Sequence, residues 1–358
     1  MSKKISMLLA MVMVATLVLS ACAPAATATQ APTEAAPTTA PATAKLKGCL
    51  VTDVGGINDK SFNASAWKGL TDAQAKLGAD VKYLQSKQQT DYEKNLQAYI
   101  DEKCDLIVTV GFLLGDATAA AAKANPSQKF AIVDYAYDPP MDNVLGLTFA
   151  TDQAGYLAGY LAAGMSQSGK VGTFGGLQIP TVTIFEDGFY YGVQNYNKVH
   201  NTKVEVLGWD PVKQTGLFAG GFNDQDKGKQ LAQNLMQEGA DIIMPVAGAV
   251  GLGAAAAVKD SGKASLIGVD TDWTVTSPEY TSIMLTSVVK VIDVATYTAM
   301  EDVSKGTFKG GVYVGTLENK GVAIAPYHDF DSKVPADLKA EVEKLQADII
   351  AGTVKVNE

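Results

Sequence analysis

The chain has 358 residues, 29 Lys and Arg against 38 Asp and Glu, and a formal net charge of −9. An acidic balance of that size argues against a nucleic-acid partner and against electrostatic docking on anionic lipid. Two histidines (His200, His328) and three cysteines (Cys22, Cys49, Cys104) give no Ser-His-Asp arrangement and no zinc spacing, so neither catalysis nor a metal nor a cofactor is expected.

Lys3 and Lys4 precede an apolar run from Ile5 to Leu19, too short for a comfortable membrane span and the right length for a signal-peptide core. The run ends in Leu19-Ser20-Ala21-Cys22, which resembles a bacterial lipobox. Residues 1–21 therefore read as a signal peptide and Cys22 as the lipid-bearing residue; the alternative is an ordinary signal peptide with an incidental cysteine. The rest of 22–45 is almost wholly Ala, Pro and Thr, which cannot build a core and reads as a disordered tether. Anchor, tether and soluble body together place the protein outside a bacterial cytoplasm, on the membrane.

The stretch VTDVGGINDKSFNASAWKGL, from Val51 to Leu70, passes from a buried strand through a glycine turn into a helix. Asn58, Asp59 and Ser61 are N-cap residues for that helix, and Ala66, Leu70, Ala73 and Leu77 form its apolar face. Asp53, Phe62 and Asn63 thus meet at the carboxyl end of the strand, where open α/β sheets bind ligands. Equally, Phe62 extends the core face, being four residues before Ala66.

Strands are expected at 48–53, 80–84, 105–110 and 129–134, with helices at about 62–77, 91–103 and 112–125 between them. The alternation restarts with a helix at 153–166 and a strand at 170–175. Helices at 186–199, 225–238 and 248–260 then interleave with strands at 203–208, 241–246 and 265–270. Residues 286–304 read as a helix with Lys290 in its first turn, and the tail as short strands and a helix at 336–347. Repeated βα units mean parallel sheets covered on both faces, here two doubly wound lobes with a cleft between them. Asp134 closes a strand in the first half and Asp270 one in the second. In a 2-1-3 strand order Cys49 and Cys104 begin neighbouring strands, so a disulfide is within reach where side-chain directions allow it.

DVGGINDKSFNASAWKGL, GYLAGYLAA at 155–163, KVGTFGG at 170–176, NDQDKGKQLA at 223–232 and IGVDTD at 267–272, in that order, resemble the basic membrane lipoprotein family. Its members are PnrA-like purine-nucleoside-binding lipoproteins of ABC transporters. The resemblance covers about 46–355 and implies a type I periplasmic binding protein fold with a three-segment hinge. The expected division is 46–148 plus 284–310 for the N-terminal lobe and 149–283 plus 311–358 for the C-terminal lobe. The resemblance further implies that Phe62 and Trp209 sandwich the base, that Asn63 and Asp134 bond its polar edge, and that Asp53 lines the floor. Gly248 would admit the ligand close to backbone, and Asp270 and Lys290 would hold the ribose. The implied partners are inosine, guanosine or adenosine and an ABC permease, with the chain a monomer. Taken alone, Asp134 is also a turn residue before Asp138-Pro139-Pro140 and Lys290 also a solvated helix residue. Rival functions are a sugar-binding or ligand-sensing lipoprotein of the same fold and, more remotely, a nucleoside hydrolase.

Overall fold

The computed structural model describes residues 45–357, so the signal peptide, Cys22 and the tether lie outside the described residues. In the first half, β1 (Lys47–Val51), α1 (Phe62–Leu77), β2 (Asp80–Leu84), α2 (Tyr92–Asp101), β3 (Leu106–Val110), α3 (Gly115–Ala124), β4 (Phe130–Val133) and β5 (Val144–Phe149) follow in order. The second half comprises α4 (Thr151–Met165), β6 (Lys170–Gly175), α5 (Pro180–His200), β7 (Glu205–Leu207), the small hairpin β8 (Trp209–Asp210) and β9 (Thr215–Gly216), α6 (Gln225–Gln237), β10 (Ile242–Val246), α7 (Val250–Ser261), β11 (Ser265–Asp270), α8 (Trp273–Thr276) and β12 (Met284–Lys290). The C-terminal part adds α9 (Ile292–Lys305), β13 (Gly311–Gly315), β14 (Val322–Ile324) and α10 (Ala336–Ile350).

Two six-stranded sheets result, ordered β13-β5-β4-β3-β1-β2 and β14-β12-β11-β10-β6-β7. The first is parallel throughout; in the second only β14, against β12, runs antiparallel. The central strands are near-continuous apolar runs, LIVTV in β3 and IIMPV in β10, because helices cover both faces and every residue of the two strands is buried. This is the type I periplasmic binding protein architecture, two lobes in one chain.

The lobes exchange segments three times, after β5, after β12 and after β13. The crossings are tied side by side, Ala150 N–H donating to Gly315 O (2.8 Å) and Val291 N–H to Gly321 O (2.9 Å). The expected helix at 286–304 is corrected here: residues 286–290 belong to β12, and the helix begins at Ile292. MLTSVVK is nearly all buried between β11 and β14, and an apolar, β-branched run of that length carries no period that separates strand from helix. The division into lobes is corrected with it: Met284–Lys290 completes the second sheet and Gly311–Gly315 the first, so each segment lies in the lobe opposite to the one expected. Of the 284–310 stretch, α9 packs on the first lobe against α1, where Gly69 lets the helices touch (a Cβ there would come 2.4 Å from Asp293 O), and Gly310 N–H donates to Asp142 O (3.1 Å) of the same lobe. The GYLAGYLAA run is helix-packing sequence of the same kind, since a Cβ on Gly159 would sit 2.0 Å from Phe189 O of α5.

Cys49 and Cys104 form a disulfide, with Cα atoms 6.1 Å apart. It lies under α2 in a core with Tyr92, Leu96 and Tyr99, away from the residues that line the interlobe cleft.

Candidate functional site

The carboxyl ends of both sheets open on one cleft, with about 550 Å³ of empty space counted out to its mouth. Asp53 follows β1, Asp134 follows β4, Asp270 ends β11, Lys290 ends β12, and Gly248 lies between β10 and α7; all five line the cleft with Phe62 and Asn63. Trp209 does not. Its Nε1–H donates to Asp187 Oδ1 (2.8 Å), its ring packs edge-on against Phe218 (centroids 5.9 Å apart), and it is buried beneath the β8–β9 hairpin. The aromatic lining comes instead from Phe62 and Phe112 in the first lobe and Phe185 and Phe222 in the second.

The end of the cleft near β1 is organised by Asp59. Its carboxylate accepts from the backbone N–H of Ser61 (3.1 Å), Asn63 (2.7 Å) and Ala64 (3.0 Å), capping α1. It also accepts from Asn63 Nδ2 (3.0 Å), which in turn donates to Asp53 Oδ1 (2.8 Å). Gly55 N–H donates to the same Asp53 oxygen (2.8 Å). Asn63 Oδ1 is buried and has no partner among the described residues. Burial pushes Asp53 up to about 6, against the lowering effect of its bonds from Asn63 and Gly55, and raises Asp59 as well.

The other end is organised by Lys290. Its Nζ donates to both oxygens of Asp134 (2.8 and 2.6 Å) and lies 3.8 Å from Asp270 Oδ1. The rings of Phe62, Phe149 and Phe185 surround it, with centroids at 4.9, 5.4 and 5.4 Å. Lys290 is therefore a buried strand-end residue, not a solvated helical one. Asp134, expected at the polar edge of a base, sits at this end instead. Burial raises both carboxyls, Asp270 to about 6, while Lys290 opposes the rise in each. Asp134 and Asp270 hold positive φ (65° and 67°), uncommon for residues other than glycine and often a mark of functional positions. With its side chain released from capping, Ser61 reaches across the cleft to Asp270 Oδ2 (2.8 Å) and Val269 O (2.9 Å), so the lobes touch.

Sequence reading missed Phe185, Phe222, Gly111 and the organising role of Asp59. Phe222 was reachable: it immediately precedes the NDQDKGKQLA run, at a loop-to-helix junction on the cleft side of the second sheet. Phe185 was hidden inside a helix whose start falls six residues earlier than expected, at Pro180.

Comparison with known proteins agrees with this architecture. The Bmp family, described as ABC transporter substrate-binding protein PnrA-like, matches residues 47–358. The chain is 32% identical over 329 residues to the ABC transporter nucleoside-binding protein BmpA of Lactococcus lactis, covering 87% of this chain and 89% of that protein. It is 29% identical to basic membrane protein A of Borreliella burgdorferi, covering 85% of each. Among solved structures, an ABC transporter solute-binding protein from Aeropyrum pernix matches with a TM-score of 0.80 and 29% identity, over 87% of this chain and 92% of that one. The two-lobed fold, the cleft at facing strand ends and these matches lead to one conclusion: the chain belongs to the Bmp family of PnrA-like ABC transporter substrate-binding proteins.

Proposed function

We propose that the chain is an extracytoplasmic, lipid-anchored receptor that captures a purine nucleoside for an ABC importer, without turning it over. The observation that carries this reading is the chemical division of the cleft. One end offers Asp53 and Asn63 beside Phe222; the other offers Lys290 between Asp134 and Asp270. A planar base with a polar edge suits the first end, stacked between Phe62 and Phe222, which replaces the expected Trp209. Vicinal ribose hydroxyls suit the second, since each can donate to a carboxylate and accept from the ammonium. Gly248 (φ 55°) holds a backbone conformation that favours glycine, and its α-carbon lies against Phe222, where a Cβ would come 3.5 Å from Phe222 O. The name of the Lactococcus lactis relative points the same way.

Arabinose- and glucose-galactose-binding proteins from Geobacillus stearothermophilus share the fold at 17% and 15% identity, which says nothing of the ligand. Titration calorimetry of guanosine, inosine, adenosine, hypoxanthine and ribose separates the readings. Free base is expected to bind at least about tenfold more weakly than its nucleoside, because the buried carboxylates at the far end lose their partners. Ribose is expected to be weaker still, and prolonged incubation should release no base. A monosaccharide that binds more tightly than every nucleoside overturns the proposal.

A further inference from the structure

We infer that Asp53 and Asn63 select the base by its donor pattern, favouring the adjacent N–H groups of guanine, and that a proton on Asp53 converts the same edge into one that fits adenine. This rests on the nucleoside reading above and goes beyond it, because it names the base and the residue that sets the choice.

The Asn63 amide has only one possible orientation. Its Nδ2 lies between Asp53 Oδ1 (2.8 Å) and Asp59 Oδ2 (3.0 Å), and only an NH₂ group can sit between two carboxylate oxygens. Oδ1 is therefore the atom left over, buried and without a partner among the described residues. Asp53 is fixed in the same way: both of its hydrogen bonds, from Gly55 N–H and Asn63 Nδ2, fall on Oδ1, which leaves Oδ2 for a ligand. Gly111, at φ 117°, has no side chain beside that oxygen; a Cβ there would come 3.2 Å from Oδ2. Both residues line the cleft, and their unpaired acceptors are Asn63 Oδ1 and Asp53 Oδ2.

Two acceptors fit the N1–H and N2–H₂ donors of guanosine. Inosine supplies only N1–H. Adenosine, held by the same ribose, sets its N1 lone pair against Asp53 Oδ2 and a C2–H, not an N–H donor, against Asn63 Oδ1. A proton on Asp53 Oδ2 changes this: the carboxyl O–H donates to adenine N1, and the clash of lone pairs is removed. Asp53 keeps accepting through Oδ1 in either state, so the amide does not turn.

The groups facing Asp53 leave its proton within ordinary reach. Asp59 and Asp134 add repulsion, Tyr92 of α2 is near enough to feel its charge, and Asn63 and Gly55 donate to it. Lys290 gives its hydrogen bonds to Asp134. The balance puts Asp53 at about 6. Asp270 lies in the same range, but in the proposed pose it meets the ribose, which adenosine and guanosine share. The ratio of the two affinities therefore isolates Asp53.

The test is calorimetric titration of the mature protein with guanosine, inosine, adenosine and 1-methylguanosine at pH 8 and pH 5, for wild type and Asp53→Asn. In the variant, Gly55 and Asn63 still require an acceptor at the Oδ1 position, so the new amide places its NH₂ where Oδ2 was. Wild type at pH 8 is expected to favour guanosine over adenosine by about tenfold or more, with inosine between them and 1-methylguanosine weakened like adenosine. At pH 5 the gap should close or reverse. Asp53→Asn should prefer adenosine at both pH values. Neither nucleoside changes protonation across this window, so a shift belongs to the protein. An affinity ratio that is the same at pH 8 and pH 5, or a folded variant that still prefers guanosine, overturns the inference. If the variant does not fold, the wild-type pH series and 1-methylguanosine decide by themselves. Nucleosides bound tightly and alike would sink this inference and leave the proposed function standing; no nucleoside bound at all would sink both.

Discussion

Replacing Lys290 with Met tests the electrostatic centre of the cleft. Methionine keeps the length and apolar stem of lysine and can lie among the rings of Phe62, Phe149 and Phe185, so packing changes little. What is lost is the ammonium, whose side chain is 2% exposed, and with it both hydrogen bonds to Asp134 and the nearby charge for Asp270. Removing one partner of a buried pair typically costs about 3–5 kcal/mol, because the remaining charge is stranded. The loss should depend on pH. Lys290 is what opposes the burial-driven rise of both carboxyls, so without it each takes up a proton more readily. A raised folded-state value means stability that is fully present below the ordinary carboxylate range and is lost as pH rises through the raised one. The deficit of Lys290→Met should therefore be largest at pH 8 and shrink towards pH 5. Equilibrium urea unfolding at both pH values measures it. Lys290→Met/Asp134→Asn should recover much of the deficit at pH 8 while leaving nucleoside binding impaired; Asn tolerates the positive φ of Asp134. A single variant as stable as wild type at pH 8, or a deficit unchanged by pH, refutes the account of Lys290 as the compensating charge.

Phe222→Ala should weaken nucleoside binding by about 1–3 kcal/mol, the usual worth of one stacked base, whereas Trp209→Phe should leave affinity within about twofold and lower only the melting temperature, through the lost bond to Asp187; titration and calorimetric melting of both variants separate the roles. Cys49→Ser/Cys104→Ser opens a loop with a sequence separation of 55 and should cost about 2–5 kcal/mol, with nucleoside affinity unchanged because neither cysteine lines the cleft; an affinity loss under folding conditions would contradict that separation of roles.

The fold was legible wherever βα units ran in order. The signal failed at two kinds of position, each for a physical reason. In β12 all but one residue are buried, so periodicity, the main cue to secondary structure, vanishes, and a strand passes for a helix. Across the hinge, sequence order ceases to report spatial order: β13 comes after β12 in the chain yet belongs to the other sheet. At the site, Asp53, Asp134 and Asp270 were legible as strand-end acids, while Gly248 came only from the family resemblance; all four line the cleft. Trp209 misled because aromatic size and a strand-end address cannot reveal which way a ring turns; Asp187, 22 residues earlier on α5, fixes it inward. Asp59 looks like a plain cap in sequence, and only its second contact, to Asn63 Nδ2, shows that it also aims the amide.

The equivalence of the two lobes bears on which ligands are excluded. The sheets share one strand order, so β4 and β11 correspond, and each ends in an aspartate held at positive φ. Closing the lobes brings Asp134 and Asp270 together around one ammonium, with Asp53 and Asp59 further along the same cleft. Four carboxyls against one lysine, itself bonded through both oxygens of Asp134, make a cleft rich in acceptors with no spare cation among its lining residues. A ligand must then bring donors and no negative charge. Nucleosides meet this requirement with hydroxyl and ring N–H groups; nucleotides do not, since a phosphate would enter beside buried carboxylates, and like charges juxtaposed in an interface cost several kcal/mol. Guanosine 5′-monophosphate is accordingly expected to bind at least about a hundredfold more weakly than guanosine, a difference of roughly 2.7 kcal/mol. Competition against a bound fluorescent nucleoside, at fixed ionic strength, measures the ratio directly. The monophosphate competing within threefold of guanosine would mean that a cation outside this lining meets the phosphate, and the electrostatic argument for nucleoside selection would fail.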